Sequence, residues 1–400
     1  MARRIPAAAR PSRVDKRMNS SGHPEKSHSQ SEQHFHLSVG IFAGIMCFII
    51  TVACLEIGLR LWSFAMNTDI TRPTDDTYRR LYSPEELRRS ELPIQKNPCV
   101  RESFAGMHWD PRFGFVSKIL DEACAKDLFK SDKTKVLLFG GSTMNSALAP
   151  NYLTTIDHYA FGDDPSVVSI NLAESGARLW NMFARFLYEG VELRPNVAVF
   201  LVGNLEFTSI QYGGLPTDDF YWTAGVSRRV HHPLMYFLDK VVEESKLAEV
   251  LLIKTGIYPS ARMPVQNIDL TLVDEAVAYY FRTQENTTAI CEHYSIKCIF
   301  ILQPTPLAQS RLDARNQLIV QGYLKYFPFD QKIISRGYAL LKEGRDGNHL
   351  LDPSGLFDGV PDTYFDVEHY TKVGNALLGK YIHDAVAQNA LATDVRQLEH

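Results

Sequence analysis

The chain has 400 residues, of which 45% are hydrophobic and 22% charged, and its formal net charge at pH 7 is -4. This length and apolar fraction suffice for a full hydrophobic core. The nearly balanced charge argues against nucleic acids or strongly acidic molecules as partners. The sequence also lacks a Walker A motif, a dinucleotide fingerprint and a nucleic-acid-binding module, so it predicts no cofactor and no nucleic-acid partner.

The first 36 residues differ in composition from the rest of the chain. They carry seven Lys and Arg residues against three acidic ones, many Ser, Pro and His, and almost no large apolar side chains. Such a segment cannot offset its ordering entropy by burial. We therefore expect a disordered basic tail over residues 1–36.

An apolar segment follows the tail. Residues 37–55 form a run of 19 positions without a charge, and further apolar residues follow up to Trp62. Such a run is long enough to cross the hydrocarbon core of a bilayer. The alternatives are a buried core helix, which the polar flanks disfavour, and a cleaved signal peptide. The long basic leader and the poor lipobox before Cys54 favour an uncleaved signal anchor over residues 37–62.

The charges around the anchor predict its topology. Because the positive residues precede the apolar segment, we expect a single-pass membrane protein with its amino end in the cytoplasm. The rest of the chain would then lie outside the cytoplasm, in a periplasm, or in a lumen if the host is eukaryotic. The membrane is accordingly a predicted partner.

Cysteine usage agrees with this topology. Four cysteines lie beyond the apolar segment, an even number that suits an oxidising compartment. Local pairing, Cys99–Cys124 and Cys291–Cys298, is the simplest of three connectivities, and four reduced buried thiols remain the alternative. Neither Cys-x-x-Cys nor a convincing histidine spacing occurs, so no metal site is predicted.

The remaining chain divides by composition into a lead-in and a domain. Residues 63–132 are rich in Pro, Arg and Glu and read as a stalk and lead-in, with a helix start at Ser83-Pro84. We predict the globular domain over residues 133–390 and a short tail over residues 391–400.

The domain begins with a strand followed by a serine. Lys135–Phe139 is a continuous apolar run, which is typical of a strand buried on both faces of a parallel sheet. Gly140-Gly141 then permits a sharp turn before Ser142. A serine at the carboxyl edge of a parallel sheet lies where such sheets bind ligands. These local residues leave two roles open, a nucleophile or a helix cap.

A βαβ unit carries two more candidates to the same edge. Ser166–Asn171 and Val197–Val202 read as strands, and residues 178–193 between them show a helical apolar stripe. A crossover connection makes such strands parallel, so Gly176 and Asn204 should emerge beside Ser142. Asparagine at a strand end is more often a turn former.

The carboxyl-terminal part supplies an acid and a histidine. Val273–Tyr294 reads as a helix and Ile296–Leu302 as a fourth strand, and a short strand is expected near His349–Leu351. Asp366 and His369 stand three residues apart, on or just before the first turn of a terminal helix, which places both side chains on one side. The carboxylate can then hold the imidazole while its other nitrogen faces Ser142. An acidic first turn with an exposed histidine is the ordinary alternative.

These motifs together resemble the SGNH, or GDSL-like, hydrolase superfamily. The blocks are GGST at Gly140–Thr143, NLAESG at Asn171–Gly176, VGN at Val202–Asn204 and DVEH at Asp366–His369, in the family's order. The resemblance covers about residues 133–386. It implies an α/β fold, a three-layer α/β/α sandwich with a mostly parallel sheet, preceded here by one transmembrane helix.

The resemblance also implies roles for the site residues. Ser142 would be the nucleophile, His369 the base and Asp366 the residue that orients His369. The N–H groups of Ser142 and Gly176 and the amide of Asn204 would form the oxyanion hole. Three departures from the family pattern stand out: Gly141 replaces an aspartate, and Val202 and Leu205 replace the glycine and aspartate around Asn204.

The expected substrate follows from the anchor and from the loop after Asn204. That loop carries Tyr212, Tyr221 and Trp222 next to acidic residues, which suits either sugar rings or a small core. A membrane-tethered member of this superfamily resembles a serine esterase or O-acyltransferase acting on acyl esters, acetyl esters first among them, of a cell-envelope or exported glycan. An envelope biosynthesis complex would be its setting. A lipid esterase, and an inactive glycan-binding or assembly module on the same fold, are the alternatives.

Overall fold

The computed structural model describes residues 41–58, 81–83, 97–102, 108–110, 114–116, 118–146, 148–207, 210, 237–238, 241, 245–255, 269–325, 327–344 and 350–397. The chain divides into two compact units. One comprises residues 1–66 with residues 245–247, and the other comprises the remainder. The predicted tail at residues 1–36 lies outside the described residues.

The first unit contains an apolar helix, α1, over Ile41–Gly58. Its 18 residues have a mean hydropathy of 2.3, and none of them is buried within the protein. At about 1.5 Å per residue the helix is roughly 27 Å long, close to the thickness of a bilayer's hydrocarbon core. Length and composition therefore allow α1 to cross a membrane, and the predicted topology stays a prediction.

All nine described strands lie in the second unit, as do the helices given below except the first two residues of α4. The strands are β1 Val100–Glu102, β2 His108–Asp110, β3 Gly114–Val116, β4 Lys118–Leu120, β5 Thr134–Phe139, β6 Val167–Asn171, β7 Val197–Val202, β8 Lys297–Leu302 and β9 Leu350–Leu351. The helices are α2 Glu122–Leu128, α3 Leu179–Arg185, α4 Lys246–Lys254, α5 Thr271–His293, α6 Ala314–Leu324, α7 Asp330–Glu343 and α8 Lys372–Gln397.

Five of these strands form one parallel sheet in the order β6-β5-β7-β8-β9. Each connection returns the chain to the same starting edge, so all five strands end at the same opposite edge. Two short antiparallel ribbons, β1-β4 and β2-β3, precede the sheet in sequence. The predicted α/β fold with a mostly parallel sheet is therefore confirmed.

Side chains alternate between two cores, one on each face of the sheet. Leu137 and Phe200 belong to the core that also contains buried residues of α3, α5 and α7, whereas Leu138 and Val199 belong to the core that contains residues of α8. Both faces of the central strands are thus apolar, as the continuous runs predicted. The unit is a three-layer α/β/α sandwich.

The five strands of the parallel sheet match their predicted bounds within one or two residues, whereas β1–β4 in the lead-in were not predicted. The helix predicted over residues 178–193 differs. Only Leu179–Arg185 is α-helical, and a wider π turn and a 3-10 turn complete the segment up to Leu193. Phe186 and Gly190 pack so closely there that a Cβ at position 190 would contact the Phe186 ring and Leu137. The helix is therefore shaped by its packing on the sheet.

The lead-in packs into the core of the domain. Cys99, Leu120, Ala125 and Phe129 are buried in the same cluster as the sheet residues. Cys99 and Cys124 form a disulfide with their Cα atoms 5.2 Å apart, and Cys291 and Cys298 form another at 6.1 Å. These two bridges are the local pairing that the sequence analysis gave as the simplest connectivity.

We expect the Cys99–Cys124 bridge to stabilise the domain, because it closes a loop of 25 residues in the unfolded chain. The double variant Cys99→Ala/Cys124→Ala should lose about 3 kcal/mol of unfolding free energy. Chemical denaturation measures this loss, and Cys47→Ala in α1 serves as the control that should not change domain stability. Non-reducing peptide mapping should find both bridges in protein from its native compartment. Alkylation of Cys99, Cys124, Cys291 and Cys298 without prior reduction would contradict the pairing, whereas Cys47 and Cys54 are free in either case.

Candidate active site

Ser142 lies in the turn that follows β5. The preceding glycines fit the tight packing at this point, since a Cβ at Gly140 would collide with Met144 and a Cβ at Gly141 would collide with Leu205. Ser142 itself is partly exposed, so its hydroxyl is accessible at the carboxyl edge of the sheet. Gly141 also lies near the loop after β6, because its added Cβ would be 3.7 Å from the carbonyl oxygen of Ala177.

Asp366 and His369 lie in a loop just before α8. The Oδ1 atom of Asp366 accepts hydrogen bonds from the backbone N–H groups of Glu368 at 2.8 Å and His369 at 2.7 Å, which closes a tight turn. The same carboxylate lies 2.9 Å (Oδ2) and 3.1 Å (Oδ1) from Nδ1 of His369. The other ring nitrogen, Nε2, lies 2.8 Å from Oγ of Ser142. Asp366, His369 and Ser142 are thus joined in one chain of contacts, although Ser142 and His369 are 227 positions apart in the sequence.

The charges around His369 make its imidazole easier to protonate than that of an isolated histidine. Burial lowers the pKa of His369, but the Asp366 carboxylate, through its charge and its hydrogen bond, and the charge of Glu368 outweigh burial and raise that pKa above its ordinary value. An imidazole that gains a proton during a reaction is stabilised by the same carboxylate.

Polar side chains from the end of β8 hold the 366–369 loop in place. Gln303 donates through Nε2 to the carbonyl oxygen of Glu368 at 3.1 Å and to Oγ1 of Thr143 at 2.9 Å. Thr143 donates to the same carbonyl at 3.0 Å, and Thr305 donates to the carbonyl of Val367 at 2.9 Å. Gln303 therefore ties the loop of His369 to the turn of Ser142.

The two further oxyanion candidates lie on loops that are also joined. Gly176 adopts a φ of +77°, a left-handed conformation that favours glycine, in the loop after β6. Two residues later, the buried Arg178 side chain donates to the carbonyl oxygens of Leu205 and Glu206, both at 3.0 Å. These carbonyls directly follow Asn204, so the Arg178 guanidinium ties the loop of Gly176 to the turn of Asn204.

Asn204 is buried at the end of β7, and its amide contacts the fourth block. Its Nδ2 donates to Oε1 of Glu368 at 2.8 Å. The structure thus places Ser142, Asp366, His369, Gly176 and Asn204 at one edge of the sheet, as the sequence predicted. Their catalytic roles stay predictions.

A buried ionic network supports the loop after β6 from behind. Arg185 pairs with Glu174 and Glu189 and donates to the carbonyl oxygens of Leu172 (3.1 Å) and Lys118 (2.8 Å). Glu174 belongs to the second block and also accepts the backbone N–H of Lys118 in β4 at 3.0 Å. The lead-in strand is therefore connected to the loop that carries Gly176.

Sequence reasoning missed several of these supporting residues. Glu368 stands inside the Asp-x-x-His block, Gln303 follows the fourth strand, and Arg178 follows the second block. For Gln303 the available signal was its position directly after a predicted strand, whereas the contacts of Glu368 and Arg178 depend on tertiary structure. Tyr212, Tyr221 and Trp222 lie outside the described residues, so the predicted substrate aromatics have no structural account.

The described residues contain no group of three or more His, Cys, Asp or Glu side chains that could hold a metal ion. The chemistry available here is that of a hydroxyl, an imidazole, a carboxylate and nearby amides. That set can activate a serine for attack on a carbonyl carbon.

Comparison with known proteins gives structural neighbours only. The sequence matches no protein-family model and no curated protein. A proposed acylhydrolase from Bacteroides fragilis NCTC 9343 is similar at 13% identity and a TM-score of 0.37, over 66% of this chain and 95% of the other. A GDSL-like lipase from Bacteroides thetaiotaomicron VPI-5482 shares 12% identity, with a TM-score of 0.34, over 67% and 97%. An acetyl xylan esterase shares 12% identity, with a TM-score of 0.32, over 63% and 99%.

The geometry of the imidazole generates a prediction that requires no substrate. Replacing Asp366 with Asn removes the charge that raises the pKa of His369, so that pKa should fall. NMR titration of the histidine ring protons in the full chain measures the change, with His369→Ala used to assign the signal. The other histidines should keep their titration curves, and an unchanged His369 pKa would show that Asp366 does not control it.

Proposed function

We propose that the protein is a serine ester hydrolase or O-acyltransferase, anchored in a membrane, with its catalytic domain outside the cytoplasm. One observation carries the proposal: Nε2 of His369 lies 2.8 Å from Oγ of Ser142 while Nδ1 contacts Asp366. This is the relation between nucleophile, base and orienting carboxylate that acyl transfer through serine requires.

In the proposed reaction, His369 takes the proton of Ser142 as Oγ attacks the carbonyl carbon of an ester. The N–H groups of Ser142 and Gly176 and the Asn204 amide donate to the oxygen that becomes negative. Collapse of the tetrahedral intermediate breaks the bond to the alcohol, which receives its proton from His369. Water, or the hydroxyl of an acceptor, then takes the acyl group from Ser142 by the same steps in reverse.

The substrate we propose is an acyl ester of a cell-envelope or exported glycan, acetyl esters first among them. A signal anchor would keep the domain near the membrane surface, where such glycans are assembled or exported. The aromatic and acidic residues after Asn204 suit sugar rings, whose hydroxyl groups can donate hydrogen bonds to carboxylates. A lipid ester is the second candidate class, because the same anchor would keep the domain near the bilayer.

The non-catalytic alternative rests on the third block. Leu205 stands where the family carries an aspartate, so the protein could keep the fold as a glycan-binding or assembly module. The experiments below separate the two functions.

Ser142→Ala and His369→Ala should each abolish turnover of a small acetyl ester, and their effects should not add, because the two residues act as a unit. Asp366→Asn should lose less activity, since nucleophile and base remain. Asn204→Ala should cost about 10²–10³ in rate if its amide stabilises the oxyanion. Initial rates with purified full-length variants, each with thermal unfolding as a folding control, give these values.

Covalent labelling provides the matching test of the nucleophile. A fluorophosphonate should modify the wild-type protein at Ser142, and the His369→Ala variant should react far more slowly. A folded wild-type protein that is neither labelled nor active on any acyl ester would contradict the esterase proposal and favour the binding module.

The anchor generates a prediction of its own. A periplasmic or luminal reporter fused after residue 130 should be active, and the protein should stay in membranes after a carbonate wash, because α1 would span the bilayer. A reporter of the opposite topology at the same position is the control. Release of a shortened soluble product would identify the apolar segment as a cleaved signal peptide.

A further inference from the structure

A second carboxylate reaches the candidate oxyanion site from within the fourth block. Glu368 lies between Asp366 and His369 in sequence, yet its side chain points to the end of β7, where Oε1 accepts a hydrogen bond from Nδ2 of Asn204 at 2.8 Å. Asn204 is buried and Glu368 is partly buried. The contact joins two of the four blocks across 164 residues of sequence.

The backbone of Glu368 is fixed on both sides. Its N–H donates to Oδ1 of Asp366 at 2.8 Å, and its carbonyl oxygen accepts from Thr143 at 3.0 Å and from Gln303 at 3.1 Å. With both backbone groups engaged, the Cα–Cβ direction of Glu368 is set by the same contacts that set the position of His369. The carboxylate therefore contacts Asn204 from a backbone position that these hydrogen bonds fix.

An asparagine needs such a partner if it is to serve as an oxyanion donor. The two ends of its amide are nearly equal in shape but opposite in polarity, and a flip about the last side-chain bond exchanges N–H groups for a carbonyl oxygen. A carbonyl turned toward a developing negative charge would oppose the reaction. A carboxyl oxygen accepts hydrogen bonds, so it holds the nitrogen end of the amide on its own side.

The residue after Asn204 does not supply the partner. Leu205 directly follows this asparagine, and its side chain cannot accept a hydrogen bond. In this structure a carboxylate contacts Asn204 from the fourth block instead.

We propose that Glu368 is a positioning residue that orients the Asn204 amide for oxyanion stabilisation. This inference rests on the proposed function, since it concerns the same reaction. The feature of Glu368 that matters is the acceptor oxygen and not a negative charge, because an anion beside the oxyanion would raise the barrier. Burial raises the pKa of the Glu368 carboxyl, while the charge of His369 lowers it, the charge of Asp366 raises it and the hydrogen bond from Asn204 lowers it, and the net direction is upward.

The kinetic test compares two substitutions that differ in one property. Glu368→Gln keeps an acceptor oxygen of the same reach without the charge, so its kcat on a small acetyl ester should stay within about threefold of wild type. Glu368→Leu removes the acceptor and should lower kcat by about 10–10² with little change in KM, as expected for a weakened oxyanion donor. Glu285→Leu, an exposed carboxylate of α5, controls for loss of a glutamate as such.

A double-mutant cycle ties the effect to Asn204. Once Asn204 is replaced with Ala there is no amide to orient, so adding Glu368→Leu should cost less than about threefold more. Fully multiplicative losses would show that Glu368 acts elsewhere and would overturn the proposal.

A third measurement requires no activity. In full-length protein in detergent micelles, labelled with ¹⁵N at asparagine, the Asn204 side-chain signal is assigned by its loss in Asn204→Ala. Glu368→Leu should shift this signal upfield as the hydrogen bond is lost, whereas Glu368→Gln should leave it near its wild-type position. An unshifted signal in Glu368→Leu, or a shifted signal with wild-type kcat, overturns the positioning role while leaving the esterase intact. A wild-type protein that is not labelled by fluorophosphonate instead overturns the proposed function, and this inference with it.

Discussion

The position of His369 depends on the polar contacts that hold its loop against the ends of β5 and β8. The loop has no regular secondary structure, so its backbone groups are satisfied by side chains of Gln303, Thr305 and Thr143. Each such hydrogen bond contributes about 0.5–1.5 kcal/mol, but an unpaired buried partner would cost more. The loop is therefore held in one conformation, and a separation of 2.8 Å between His369 and Ser142 follows from that.

Hydrogen bonds in turn link the four loops of the candidate site into a closed ring. Gln303 joins the first and fourth blocks, Glu368 joins the fourth and third, and Arg178 joins the third and second. The sheet completes the ring, because the strands before the first and second blocks are direct neighbours. A parallel sheet brings strand ends to one edge but does not fix the distances between their loops, so these side chains set the geometry of the site.

The sequence was sufficient for the strands of the parallel sheet and for the location of the candidate site, for a physical reason. A strand buried on both faces must be apolar throughout, so β5, β7 and β8 stand out as continuous runs, and the polar residues that end them mark the edge. The sequence did not predict that the α-helix after Gly176 ends at Arg185, because the π turn that follows depends on how Phe186 packs. The roles of Glu368 and Arg178 were equally hidden, because each contacts residues far away in sequence.

The composition of the lead-in did not predict that parts of it are buried in the domain. Its composition, rich in Pro, Arg and Glu, resembles a spacer, yet Lys118 and Cys99 are buried in the domain. Arg185 and Glu174 are almost wholly buried as well, and breaking such a pair by removing one partner typically costs about 3–5 kcal/mol. Because Glu174 lies in the second block and accepts a hydrogen bond from β4, the lead-in is part of the support of the candidate site.

Gly141 and Leu205, which both differ from the motif pattern that the sequence resembles, lie next to each other in space. The Leu205 side chain occupies the place where a Cβ at position 141 would lie. An aspartate at position 141 would have to displace that leucine. Gly141 and Leu205 therefore form one close contact between the turn of Ser142 and the turn of Asn204. In the proposed mechanism Glu368 contributes the acceptor beside Asn204, so a third block without its own aspartate is compatible with a working oxyanion hole.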